Sequence, residues 1–370
     1  MNIRLPENEC VGCGVCAEGC PAQAIIMREN TEGFLYPEIV GTRCTQCGKC
    51  MRNCVALQKT VQTDIRESVY ATVHKSPEVL QKSSSGGMFS ALAMWIIGQG
   101  GTVFGAAFDE KGMLSHQAAN NQNELAKLLG SKYVQSNLYD ALPLLKEKAD
   151  AGEKVLICGT PCQIGAVKAF LGARDNVYLV DFLCHGVGSP KVFDFYSRKI
   201  AKGRPEKIAF RDKRISWRAY SVRIQSAKVR YCKYHQDDLY MRGYLQNLFL
   251  RKSCYTCSAQ DKMHASDITI GDFFDIAKYD ATFADERGTG KAIVHTSKGE
   301  ALLQAAKEDC RVKKIEHTAM EQHQNIAMHK ERDAFFEGLS AENILKKLKK
   351  YTVSPPFKVW LYRKIKYRCK

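Results

Sequence analysis

The chain has 370 residues, 45% of them hydrophobic, with a formal net charge of +16 and 16 cysteines. That length suggests a compact cofactor domain ahead of a larger body able to bury a sizeable core. The N-terminus MNIRLPENEC has no apolar signal region, and the most apolar run, MFSALAMWII, falls well short of the roughly 20 residues that span a bilayer. A secreted disulfide scaffold and a membrane span are therefore disfavoured, and a cytoplasmic protein with reduced thiols or metal ligands is expected.

The first element is a ladder of cysteines. Cys10, Cys13, Cys16 and Cys20 form C-x2-C-x2-C-x3-C, and Cys44, Cys47, Cys50 and Cys54 repeat the spacing. This is a duplicated bacterial ferredoxin signature. A tight C-x2-C-x2-C loop wraps three thiolates around one face of an iron-sulfur cube, while the distant fourth cysteine crosses to the other cube. The spacing thus predicts two 4Fe-4S clusters, one held by Cys10, Cys13, Cys16 and Cys54, the other by Cys44, Cys47, Cys50 and Cys20. Gly12, Gly14 and Gly48 suit loops whose backbone approaches sulfide closely. Zinc also accepts four thiolates, but zinc ribbons use two separated C-x2-C pairs. Val55 stands where the first quartet is followed by Pro21, a difference in a turn and not in a ligand.

From Ser68 onward, β-branched runs alternate with amphipathic helices: SVYATVH, SGGMFSALAMWIIG and GTVFGAAFD, then KVLICG, TPCQIGAVKAFLG, VYLVDFLCHG and SPKVFDFYSRKIAKG. The pattern predicts an α/β body with a mainly parallel sheet. Beyond Glu206 the loops lengthen, SVRIQ and KVRYCKY read as a hairpin, and an α+β lobe is expected. The resulting division is a ferredoxin-like double-cluster domain at 1–60, the first part of the body at 67–205, its second part at 206–340, and a basic aromatic tail at 341–370.

Strand-to-helix junctions carry the polar chemistry. Ser84, Ser85, Gly86 and Gly87 precede the helix near Met88, where free N–H groups can hold a phosphate and serines can equally cap the helix. Gly159 and Thr160 close the strand KVLIC at the carboxyl end of the sheet, where α/β proteins bind ligands. Ser131, Lys132 and Tyr133 lie in a polar stretch with a cation placed to meet a pyrophosphate. Arg211 and Lys213 in FRDK either bind an anion or form a solvated strand end. His185, after the strand VYLVDFL, is either a donor to a substrate oxygen or structural.

Eight segments in order, SSGGMFSAL, GSKYVQS, GTPCQ, CHGVGSP, FRDKRISW, SCYTC, DITIGDFF and GTGKAIVHTSKG, resemble the beta subunits of coenzyme F420-reducing hydrogenase and dehydrogenase, including relatives with an N-terminal ferredoxin domain. The resemblance runs to about Gly299. It implies a flavoprotein body binding FAD, fed by iron-sulfur clusters, with Ser84, Ser85, Gly86, Gly87, Ser131, Lys132, Tyr133, Gly159, Thr160, Arg211 and Lys213 as candidates for holding the cofactor. Gly188 stands where the family usually shows proline after CHGV.

Within those motifs lie Cys162, Cys184, Cys254 and Cys257. The last two form a chelating C-x2-C pair, and the first two lie at the ends of successive parallel strands. A third 4Fe-4S cluster is the favoured reading, against a structural zinc or buried thiols. Cys158, Cys232, Cys310 and Cys369 lie outside any ligand spacing and are expected to be core or surface thiols.

The expectation is an iron-sulfur flavoprotein oxidoreductase, with ferredoxin or a deazaflavin of the coenzyme F420 type exchanging electrons and a small-molecule or glycan-linked substrate. A non-catalytic electron-transfer subunit is the alternative. No nucleic-acid motif accompanies the charge, and no nucleic-acid partner is expected. From Lys346 to Lys370 the tail carries ten cations and no acidic residue, and KKLKKY with FKVWLYRKIKY suits contact with an anionic membrane surface as well as a solvated helix end.

Overall fold

The computed structural model describes residues 6–57, 68–257, 265–316 and 326–367. The cysteine-rich module contains a hairpin of β1 (Ile25–Glu29) and β2 (Leu35–Ile39) and two one-turn helices, Val15–Glu18 and Lys49–Arg52. Each helix follows a glycine in left-handed backbone, Gly14 at φ 78° and Gly48 at φ 72°. That conformation turns the cysteine loop back toward its own sulfurs, and a Cβ would oppose it.

The body is built on an eight-stranded sheet. Its strands are β3 (Ser68–His74), β4 (Thr102–Phe108), β5 (Leu114–Ala119), β6 (Val155–Gly159), β7 (Val177–Phe182), β11 (Ile268–Asp272), β12 (Gly290–Val294) and β13 (Cys310–Ile315), in the order β13-β3-β12-β11-β7-β6-β4-β5. The expected mainly parallel sheet is corrected to a mixed one. Pairing is parallel at the centre, β4 with β6, β6 with β7 and β7 with β11, and antiparallel at both flanks. The central strands end at the same edge, so residues following β6 and β7 meet there.

Period-2 alternation sorts the side chains between two apolar layers. Val103, Leu156 and Val180 face the helices Met88–Gly98 and Ser297–Ala305, while Phe104, Val155, Ile157, Val177 and Leu179 face Leu142–Asp150 and Pro161–Leu171. With both faces covered, the strands read as continuous apolar runs. The run MFSALAMWII is a buried helix, with Ala91, Leu92, Ala93 and Ile96 fully enclosed. Among the described residues no helix is long and apolar enough to cross a membrane.

The expected α+β lobe holds for β8 (Lys207–Asp212), β9 (Ser221–Gln225) and β10 (Arg230–Tyr234), an antiparallel sheet in which the hairpin read from sequence is present. It fails for β11 to β13, which return to the main sheet. The second sheet packs on an aromatic core of Phe193, Tyr196, Phe210, Tyr240 and Phe249, to which Phe335, Ile344 and Leu348 add the C-terminal helices.

The cysteine module docks directly on the body. Val15 and Val55 are buried in the layer between the sheet and the helices Leu142–Asp150 and Pro161–Leu171. Arg332, 1% exposed, forks onto Glu32 of the module, with Nη1 donating to Oε1 at 2.7 Å and Nη2 to Oε2 at 2.5 Å.

Candidate functional site

The two N-terminal quartets assemble crosswise. Cys20 joins Cys44, Cys47 and Cys50 around one cavity, lined also by Gly48, Lys49 and Ile39. Cys10, Cys13, Cys16 and Cys54 form the other set. Burial pushes the Cys13 thiol up to about 12, with Cys10 and Cys54 adding to the rise, and it lifts Cys16 and Cys54 as well. Cys16 and Cys54 both feel Cys50, so the quartets are neighbours. Backbone N–H groups aim at the sulfurs: Ala24 N donates to Cys20 Sγ at 3.3 Å, and Val15, Lys49 and Ala56 donate to Cys13, Cys47 and Cys54. Such bonds stabilise thiolate charge and tune a bound cluster.

The four body cysteines also come together. Cys162, Cys184, Cys254 and Cys257 line a single cavity with Val11, Gln135, Thr160, Gln163, His185 and Arg251. Cys162 starts the helix after β6, Cys184 follows β7, and the Cys254–Cys257 pair comes from the loop after Leu250. Burial is the main cause of the raised thiols, Cys162 to about 11, Cys254 to about 12 and Cys184 upward. Here too backbone donors reach the sulfurs, Val187 N to Cys254 Sγ at 3.4 Å, and Gln163 and Gly186 to Cys162 and Cys184. Among the described residues no three His, Cys, Asp or Glu side chains converge on the point a single ion requires. Four thiols around one cavity, with backbone N–H groups aimed at three of their sulfurs, make a donor set that a four-thiolate cube would take. Cys13 feels the sulfur of Cys162, which places the first module quartet next to the body quartet.

Arg251 stands between them. Its side chain is buried, Nε donates to Cys10 O at 2.8 Å, Nη2 to Leu35 O at 2.9 Å and Nη1 to Gln135 Oε1 at 2.9 Å. Sequence reasoning missed it. The available signal was a basic residue three positions ahead of Cys254, indistinguishable by itself from a solvated cation.

The residues proposed for FAD divide into two groups. Gly159 and Thr160 lie at the cysteine cavity. Thr160 Oγ1 is 3.2 Å from Cys162 Sγ, its N–H donates to Gln163 Oε1 at 3.1 Å, and a Cβ on Gly159 would press on Gln163 and His116. The rest converge where the serine loop, the stretch after Gly130 and β8 meet. Ser84 Oγ accepts from Ser131 N at 2.6 Å and Ser131 Oγ at 2.7 Å, and Ser85 Oγ donates to Thr289 O at 2.8 Å. Gly86 is threaded between strands, since a Cβ would lie 2.2 Å from Thr72 O. Gly87, at φ 83°, starts the helix Met88–Gly98, and no side chain caps it, so the capping reading of the serines is corrected.

Of the three cations expected there, two have their donors filled by carbonyls. Lys132 Nζ meets Lys127 O, Leu128 O and Leu129 O at the end of the helix Gln122–Leu128, and Lys213 Nζ meets Leu80 O, Ser85 O and Arg287 O. An ammonium has three N–H groups, so neither retains one for an anion. Burial lowers both to about 7. Arg211 differs. Its Nη1 donates to Asp272 Oδ2 at 2.8 Å, while the buried Nε and Nη2 have no partner. Tyr220 lies under the guanidinium, 4.9 Å from it, and Trp217 Nε1 steadies Asp272 at 3.2 Å. An orphaned, buried guanidinium edge fits a phosphate or carboxylate of a bound group.

Aromatic rings connect the two regions. Tyr133 lies 4.9 Å from Tyr244, which lies 5.4 Å from His185 beside Cys184. His185 is exposed, with Nε2 2.8 Å from Asn247 Oδ1. At Gly188 a Cβ would come within 2.6 Å of the Tyr240 hydroxyl, so the position suits a residue without a side chain. Cys158 and Cys310 are free thiols as expected, whereas Cys232 is disulfide-bonded, which corrects that assignment; Cys369 lies outside the described residues.

Known proteins resemble the chain in both of its parts. Over 82 residues the chain is 29% identical to an uncharacterized ferredoxin of Methanocaldococcus jannaschii, covering 22% of this chain and 45% of that protein, so the chain spans under half the length of this curated relative. A chain from the F420-reducing NiFe hydrogenase complex of Methanosarcina barkeri superposes with a TM-score of 0.47 at 17% identity, covering 79% of this chain and 91% of that one. Residues 9–56 match the 4Fe-4S dicluster domain, and residues 152–319 match the model for the C terminus of the coenzyme F420 hydrogenase/dehydrogenase beta subunit. The chain thus joins a 4Fe-4S dicluster domain at its N-terminal end to a segment that matches the C terminus of the coenzyme F420 hydrogenase/dehydrogenase beta subunit.

Proposed function

We propose that the chain is an iron-sulfur flavoprotein oxidoreductase in which electrons pass between the dicluster domain, a third 4Fe-4S cluster in the body and FAD. The observation carrying this reading is the single cavity lined by Cys162, Cys184, Cys254 and Cys257, next to the Cys10 quartet. Clusters exchange one electron at a time, and FAD, when bound, exchanges either single electrons or a pair, which suits a two-electron substrate. The chain's own contributions are separable. The cysteines hold the cubes, backbone N–H groups at Gln163, Gly186 and Val187 stabilise their sulfurs, and burial excludes water. Arg211, with the uncapped helix start at Gly87, offers donors to an anionic part of FAD. His185 is the candidate donor toward a substrate oxygen.

Ferredoxin is the proposed donor, because a hydride from reduced coenzyme F420 needs no entry through the dicluster. The test is anaerobic stopped-flow mixing of the full-length protein with reduced ferredoxin or reduced coenzyme F420, following flavin absorbance. Cys13→Ser should abolish bleaching by ferredoxin and spare bleaching by the deazaflavin. Equal bleaching by ferredoxin in both proteins would contradict the entry route, and iron-replete protein that binds no FAD would overturn the flavoprotein reading.

A peripheral contact with an anionic membrane is supported by the helix Phe357–Lys366. Phe357, Leu361 and Ile365 recur every fourth residue on one face, at 69%, 43% and 74% exposure, flanked by Lys358 and Lys364. Apolar side chains beside lysines suit the headgroup boundary.

A further inference from the structure

Arg251 and Arg332 are the largest fully buried side chains, and they are neutralised differently. Arg332 has Glu32. Among the described residues Arg251 has no carboxylate partner: its Nε, Nη2 and Nη1 donate to the carbonyls of Cys10 and Leu35 and the amide oxygen of Gln135. A buried cation needs negative charge near it. What surrounds this one is sulfur. Nη2 lies 3.8 Å from Cys10 Sγ, and the side chain lines the cavity of the body quartet together with Cys162, Cys184, Cys254 and Cys257. The rings of Tyr36 and Phe34 sit against the guanidinium at 4.3 and 5.4 Å and keep water away.

The fit on the module side is tight. Gly12 has φ +69°, and a Cβ there would lie 2.6 Å from Arg251 Nη1. Gln135, which accepts from Arg251, donates its own Nε2 to Val11 O at 2.9 Å. A lysine at 251 would keep the charge but not reach the Cys10 and Leu35 carbonyls and Gln135 at once.

We infer that Arg251 is the electrostatic bridge of the electron relay, a fixed charge between the Cys10 quartet and the body quartet that seats the module and raises the reduction potential of the cluster on each side. This rests on the body quartet holding a cluster. The step it serves is one electron leaving a reduced cluster on one side and reducing the oxidised cluster on the other, with reduced ferredoxin as the source and no bond or proton exchanged. A four-thiolate cluster carries net negative charge that grows by one on reduction, so a neighbouring cation favours the reduced form. Arg251 is thus a positioning and tuning residue.

The test is anaerobic redox titration of the full-length protein, followed by electron paramagnetic resonance, for the native chain, Arg251→Gln, Arg251→Lys and Lys252→Gln. Iron and sulfide are counted first. A native count of roughly twelve irons establishes three cubes, and roughly eight would remove the body cluster and this inference with it. With three cubes present, Arg251→Gln should lower the reduced-to-oxidised ratio of a flanking cluster at least tenfold at fixed poise, a 59 mV shift for a one-electron couple. Arg251→Lys should stay within that tenfold range while weakening spin coupling between clusters through looser seating. Lys252→Gln removes the same charge one residue away, on a half-buried side chain paired with Glu7, and should leave the potentials in place. Unchanged potentials in Arg251→Gln would overturn the inference. Should that variant lose its iron, Arg251→Lys decides: native-like potentials support the charge role, and a full tenfold loss refutes it.

Discussion

Replacing Arg332 with methionine tests whether the cysteine module is fixed to the body. Arg332 holds Glu32 through two hydrogen bonds and reaches the Leu250 carbonyl through Nε at 3.3 Å and Nη2 at 3.0 Å. Once it is removed, Glu32 stays buried with only Lys252 near among the described residues, at 3.9 Å. Breaking a buried pair from one side costs about 3–5 kcal/mol, because the remaining charge is uncompensated. Adding Glu32→Gln removes that charge, so the double variant should recover about 2 kcal/mol of the loss. Anaerobic urea titrations of the native protein, both single variants and the double variant, followed by circular dichroism, give the coupling energy. A coupling below about 0.5 kcal/mol would mean that the pair is solvated and the module is not seated as described.

Other outcomes follow from single contacts. Gly12→Ala forces a Cβ against the enclosed Arg251 in left-handed backbone and should cost about 1–3 kcal/mol, with loss of the Cys10-quartet cluster signal; native-like spectra and stability would contradict the close approach. Arg211→Gln should weaken FAD binding about tenfold or more, roughly one charge-assisted hydrogen bond, by anaerobic equilibrium dialysis; unchanged binding would place the flavin's anionic groups elsewhere. Burial raises the Asp181 carboxyl to about 7 against the Thr269 and Ser266 hydroxyls. The folded protein therefore keeps this proton between about pH 4 and 7, where the unfolded chain has lost it, so its contribution to stability falls as pH rises across that window. The ceiling is about 4 kcal/mol, and Asp181→Asn should flatten the unfolding midpoint between pH 5 and 7; an equal slope in both proteins would refute the assignment. A chain ending at Pro356, which keeps the buried Ile344 and Leu348, should lose cosedimentation with anionic vesicles, and equal sedimentation would remove the membrane contact.

The cysteine sites were legible because cubes impose local spacing. The crossing of Cys20 and Cys54 follows from chain reach, and the body quartet followed from the C-x2-C pair and two strand ends on one sheet edge. The sheet itself was less legible. β12 inserts between β3 and β11, a pairing of segments more than 200 residues apart that no periodicity encodes. Cations misled for a related reason. Lys132 and Lys213 look like free charges in sequence, yet carbonyls brought by distant loops fill their donors, and Arg251 looks solvated although two cysteine sites enclose it.

The central claim is that the body quartet holds a cluster joined to the dicluster domain, and the cofactor content of Cys254→Ser tests it most directly. Purified without oxygen, the native chain should carry roughly twelve irons and as many sulfides, and the variant should lose roughly four of each while keeping the dicluster spectrum. Native protein with roughly eight irons, and a variant that matches it, would show that these four cysteines hold no cube.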